Sequence, residues 1–195
     1  QGRLDEAFGW AREQNLSVKD DLSYLREFEH ITVARILLAQ YQRDRADHVM
    51  LDAIGLLERL LKAAEDGGRT GNVIEILILL ALAHQMQGDI PAALTALERA
   101  LTLAEPEGYV RIFVDEGHPI SLLLEKAAKH GIAPNYVHQL LRAFGKAEDR
   151  AHVDQGLIEP LSERELEVLR LLDTDLDGPD IARQLIVSLN TLRTH

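Results

Sequence analysis

The chain has 195 residues, a net charge of -11 and no cysteine. At about 150 residues per domain, that length suits one good-sized domain plus a smaller remnant. The 32 acidic against 21 basic residues exclude general attraction to nucleic acid or anionic membrane, and the missing cysteine excludes a disulfide framework, a zinc finger and a thiol nucleophile.

The chain opens at Gln1 with acidic residues already at Asp5 and Glu6, which is no secretory signal. Amphipathic segments predict helices over 4–14, 22–42, 46–64, 70–87, 90–104, 109–116, 118–130, 134–145, 163–173, 179–186 and from 189 on. Glycine and proline punctuate them. Pro91, Pro119, Pro134 and Pro179 each follow a glycine closely and suit the first turn of a new helix, where the missing N–H costs nothing. Ile54, Leu57, Leu60, Leu61 and Ala64 form one apolar stripe. Tyr109 to Val114 alternates and is β-branched, so a lone strand stays open there beside the helix. The longest apolar run, Ile76 to Ala83, is far below the roughly 18 residues that span a bilayer. A soluble, cytoplasmic chain without a membrane partner is expected, and its composition reads as an excised part.

Internal repetition is more informative. Gln1-Gly2-Arg3-Leu4-Asp5-Glu6-Ala7 echoes Gln87-Gly88-Asp89-Ile90-Pro91-Ala92-Ala93. Small residues at Ala7, Ala53 and Ala93 stand where two helices would approach closely. Leu77, Gly88, Ala93, Leu97 and Ala100, with Pro106 beyond them, follow tetratricopeptide spacing. One helix pair cannot bury its own apolar face, so the pairs stack. The expected fold is all-α: a tetratricopeptide-like right-handed α-α superhelix over 1–145. An irregular helical bundle is the alternative. Residues 146–160 read as a linker or a poorly packed helix end.

From 161 to 195 the pattern changes. Ser162 with Glu165 forms a capping box. Leu166 and Leu169 begin an apolar face, and a turn through Asp177-Gly178-Pro179 leads to Ile181-Ala182. Ser188 then caps a last helix, completing the outline of a helix-turn-helix. Leu161-Ser162-x-Arg164-Glu165-x-Glu167-Val168-Leu169, Ile181-Ala182 and Val187-Ser188-x-x-Thr191-Leu192-Arg193-x-His195 resemble the DNA-binding domain of the LuxR family of bacterial transcription regulators. That family pattern continues beyond the histidine, so 161–195 reads as an incomplete helix-turn-helix. Residues 1–143 resemble the tetratricopeptide-like sensor region of the large MalT-like members.

The resemblance implies that Ser188, Thr191, Arg193, Thr194 and His195 serve DNA binding in the parent protein. Arginine suits this because its fork binds guanine or phosphate bidentately. From Ala151 on, nine acidic residues face four arginines, which predicts weak or no DNA binding by residues 1–195 alone. The resemblance also implies ATP for an upstream module. Gly67-Gly68-Arg69-Thr70-Gly71 lacks the lysine and spacing of a phosphate cradle, so no cofactor is expected within this chain.

Eight histidines invite a metal or acid–base reading. Glu27-Phe28-Glu29-His30 contains one Glu-x-x-His step, but a carboxylate-bridged di-metal bundle needs a second. No metal site, no catalytic residues and no enzyme activity are expected. A better candidate is a groove for an effector or partner. It would draw His30, Val33, Leu37, Gln40 and Tyr41 from one repeat, and Glu75, Ile78, Leu82, Gln85 and Met86 from the next. The plainer alternative makes Val33, Leu37, Ile78 and Leu82 simply core. The chain is thus expected to be the sensor and oligomerisation region of a LuxR-type regulator. It would bind a small-molecule inducer or regulatory protein, self-associate, and control DNA binding by the parent. The alternative is a tetratricopeptide scaffold that binds a protein and senses no small molecule.

Overall fold

Helix starts and stops follow the punctuation. The computed structural model describes residues 2–156, with side chains over 4–145. In order the helices are α1 (Gly2–Glu13), α2 (Glu27–Asp44), α3 (Asp47–Asp66), α4 (Thr70–Gln87), α5 (Ile90–Ala104), α6 (Arg111–Val114), α7 (His118–Lys129) and α8 (Pro134–Gly156). A 3₁₀ turn at Tyr24–Arg26 precedes α2, where one continuous helix from 22 is expected. No strand occurs among the described residues, and the chain is all-α.

Pro91, Pro119 and Pro134 open α5, α7 and α8 as their missing N–H requires. Gly88 ends α4 at φ 83, a left-handed cap that a β-carbon would strain. Directly after it, the Asp89 carboxylate accepts the Ala92 N–H at 3.0 Å and caps α5. One tight sequence, Gln87 to Ala92, therefore folds one helix pair back on itself.

Packing runs between successive helices: α2 against α3, α3 against α4, and α4 against α5. The small residues sit where the repeat pattern needs them. Ala53, Ala93 and Ala100 are fully buried and let the backbones close in, while Ala7 is only half-buried. Leu77 and Leu97 fill the same core. Burying each such leucine contributes about 1.5–3 kcal/mol. Helix α4 is apolar on every side, with Ile76 through Ala83 all buried, because it lies between α3, α5, α2 and α7.

The alternating Tyr109–Val114 segment resolves as a turn of helix. Its Phe113 is fully buried and meets the Tyr136 ring edge-on, with centroids 6.1 Å apart. The Tyr136 hydroxyl donates to the Tyr109 carbonyl, which ties the start of α8 to the chain before α6. Helix α8 runs past 145 to Gly156, so most of the stretch expected as a linker or a poorly packed helix end is helical. Lys146-Ala147-Glu148-Asp149-Arg150-Ala151 carries no proline or glycine, and those residues continue a helix readily. The chain divides into two compact units, residues 1–148 and 149–195.

Candidate effector cleft

Helix α4 lies beside both α2 and α7. Where these elements meet, a cleft of about 270 Å³ opens. Arg35, Leu38, Ala39 and Gln42 line it from α2, Leu79, Leu82 and Met86 from α4, Glu116 from the α6–α7 turn and Pro119 from α7. The α2 residues stand three and four apart, one helical face. The lining is about equally polar and apolar, with its polar groups supplied by Arg35, Gln42 and Glu116.

Arg35 and Glu116 belong to an ion-pair cluster. Arg35 is the sole charged residue between Ile31 and Gln40, and Glu75 the sole acidic residue of α4. The Arg35 guanidinium donates through Nη2 to Glu75 Oε1 at 2.9 Å and lies 2.6 Å from Glu116 Oε1. The side chains are 38%, 23% and 11% exposed respectively. Burial pushes the guanidinium down, but Glu116 and then Glu75 outweigh it and hold it above the ordinary arginine range. Arg35 therefore stays charged and ties three elements together: α2, α4 and the α6–α7 turn. Gly117, at φ 70, gives that turn the left-handed backbone that brings Glu116 back toward α2.

Of the ten residues expected in the groove, His30, Val33, Tyr41 and Ile78 are buried in the core and line no part of this cleft, and Leu82 is buried as well. Leu82 also presents an edge to the cleft, and Met86 lines it beside Leu82. Glu75 reaches it through Arg35. Leu37, Gln40 and Gln85 are half-buried and lie outside its lining. The physical reason is phase. Helix α2 packs on α3 and on α4, so its apolar residues cover more than one face, and spacing alone does not say which faces the cleft. The residues missed were Arg35, Leu38, Ala39, Gln42, Leu79, Glu116 and Pro119. A usable signal existed in the single opposite charges on two otherwise apolar helices.

The Glu-x-x-His step serves structure. Glu27, buried, lies 2.7 Å from Arg69 Nε without hydrogen-bond alignment and accepts from Asn72 Nδ2 at 2.9 Å. His30 Nδ1 donates to the Arg26 carbonyl at 2.9 Å, and its Nε2 faces the Asp20 carboxylate at 3.4 Å. The backbone N–H of Ser17 holds the Asp20 carboxyl below its ordinary range; burial works against this, and His30 adds to it. Arg59 reaches the Val18 and Asp20 carbonyls, so the α1–α2 loop is pinned down by polar contacts. His84 lines a separate groove with Glu58, Leu61, Leu80, Ala96 and Arg99. Among the described residues, no group of three or more His, Asp or Glu side chains could hold a metal ion, and no helix is long and apolar enough to cross a membrane. Ser188, Thr191, Arg193, Thr194 and His195 lie outside the described residues, as do the capping box and Pro179.

Comparison with known proteins agrees with this architecture. Residues 159–195 match the family described as bacterial regulatory proteins, luxR family. The HTH-type transcriptional regulator MalT of Klebsiella pneumoniae subsp. pneumoniae is 26% identical over 190 residues, covering 87% of this chain and 20% of that protein. The protein of the same name from Serratia proteamaculans is 24% identical over 216 residues, covering 100% of this chain and 23% of that protein. The chain spans about a fifth of the length of these relatives. No solved structure matches it. The MalT-like TPR region matches residues 1–130, the same residues that build the stacked helices and the cleft, and the chain belongs to the MalT-like family of LuxR-type regulators.

Proposed function

We propose that this chain is the effector-sensing part of a transcription regulator, and that the α2–α4 cleft is where the effector binds. The observation that carries the reading is the cleft itself. It sets Leu38, Leu79, Leu82 and Met86 beside Arg35 and Glu116, and it touches the α6–α7 turn. An effector seated there contacts both the repeat stack and the chain leading toward the luxR segment. Binding energy spent differently in two arrangements of that turn would shift their populations. Occupancy of the cleft would then alter the parent's DNA binding through the LuxR-type segment, where Ser188, Thr191, Arg193, Thr194 and His195 would face the DNA. In this reading ATP binding and self-association belong to the parent protein, and residues 1–195 carry out no reaction.

A thermal-shift screen of sugars, nucleotides and aromatic metabolites tests the sensing role. One strongly stabilising small molecule is the expected result, since stabilisation follows RT ln(1 + [L]/Kd).

A second reading has its own observation. Tyr24, Leu25 and Phe28 are more than two-thirds exposed and lie within five residues where the 3₁₀ turn runs into α2. Exposed apolar side chains grouped in this way suit a protein partner. A silent small-molecule screen together with loss of a partner's binding on Leu25→Asp and Phe28→Asp would favour scaffolding over sensing.

A further inference from the structure

The cleft's charges do not balance. Glu75 and Glu116 present two carboxylates to one guanidinium, and both meet the same nitrogen, Arg35 Nη2. Among the described residues the second oxygen, Oε2, of each carboxylate receives no hydrogen bond from another side chain or the backbone. The rest of the lining is uncharged, with Leu79, Leu82 and Met86 on α4 and Pro119 on α7. Arg35 with Glu116 is neutral, and Glu75, one step behind Arg35, leaves the cluster with one negative charge in excess. Partial burial weakens solvent screening there, so the excess charge acts at close range.

We propose that the cleft takes an organic cation: an ammonium or guanidinium group on an apolar body. The head would sit against Glu116 and within the field of Glu75, donating to the open Oε2 of Glu116. The body would lie on Leu79, Leu82 and Met86. An anion would have to approach Arg35 past two carboxylates that already hold it. A neutral polar ligand leaves the excess charge uncompensated. The volume, about 270 Å³, is just below the roughly 300–1,000 Å³ of drug-sized pockets and suits only a small molecule. The proposal rests on the reading of this cleft as the effector site and adds the chemical class of its occupant.

The chain's two methionines make the test clean. Met86 lines the cleft and Met50 is fully buried in the core, so methyl-labelled methionine gives one reporter and one internal control. Hexylammonium, hexanoate and 1-hexanol are titrated separately at neutral pH; they share one apolar body and differ in charge. Hexylammonium should shift the Met86 methyl saturably and leave Met50 unmoved, with an affinity about tenfold above that of hexanoate. Glu116→Gln, or Glu75→Gln if the first variant is unstable, should weaken hexylammonium about tenfold. Equal or tighter binding of hexanoate or hexanol overturns the proposal, and so does a hexylammonium affinity unchanged in both glutamine variants. If none of the three probes moves Met86 but a screened metabolite does, the cation assignment fails and the effector cleft stands. If nothing moves Met86, both fall.

Discussion

Arg35→Met is the most informative single perturbation of this cleft. Methionine keeps the apolar stem of the side chain and removes the charge. Two carboxylates then lose their cation, Glu116 at 11% exposure and Glu75 at 23%. Breaking a fully buried pair costs about 3–5 kcal/mol, whereas an exposed pair is worth about 0.2–1 kcal/mol. The guanidinium itself is 38% exposed, which places this cluster between the limits and discounts it toward the lower one. A loss of about 2 kcal/mol is expected, with Glu116 contributing more than Glu75 because it is more deeply buried and 0.3 Å closer, at 2.6 against 2.9 Å. Urea unfolding followed by circular dichroism, run as a double-mutant cycle of Arg35→Met, Glu116→Gln and both together, isolates the pair. A coupling near 1 kcal/mol is expected, shrinking in high salt. Coupling below about 0.3 kcal/mol is ordinary additivity and would refute the view that Arg35 clasps the α6–α7 turn to α2.

Two further outcomes follow from local geometry. Burial, helped by the Glu105 carboxylate, pushes the Tyr136 phenol up from 10.0 to about 12. The raised value means that the folded state keeps a proton the unfolded chain gives up, so this stabilisation is complete below pH 10 and fades as pH rises toward 12. Chemical unfolding at stepped alkaline pH should show that decline in the wild type and a shallower one in Tyr136→Phe. Asp89→Ala removes the side-chain acceptor of the Ala92 N–H and should destabilise α5 by about 1 kcal/mol, measured by urea unfolding; Asp89→Ser should restore most of it.

Much of this fold is legible because helix ends are local chemistry. Gly88, Asp89 and Pro91 announce one stop, one cap and one start within five residues, and the structure uses all three. The end of α8 is different. Gly145 looks like a terminator, but a helix stops at glycine only when the next turn needs a left-handed backbone, and here it continues. The cleft was only partly legible. Periodicity finds apolar faces, and α2 and α4 have more than one, so Val33 and Ile78 look like groove residues and are core. Arg35 and Glu75 were visible as lone charges in apolar helices. Glu116 was not, since its place depends on a four-residue helix and a glycine turn that fold it back onto α2 from far along the chain.

The central claim is that the α2–α4 cleft holds the effector, and blocking its mouth tests this most directly. Ala39 lines the cleft yet is exposed, so Ala39→Trp fills the space without cutting into the core. Ligand-induced stabilisation of the wild type and Ala39→Trp is measured side by side with the strongest molecule from the screen. At about 100 times Kd the wild type should gain roughly 2.7 kcal/mol, and the Ala39→Trp chain, equally stable without ligand, should gain little or nothing. Equal stabilisation of both chains would contradict the account and place the effector elsewhere.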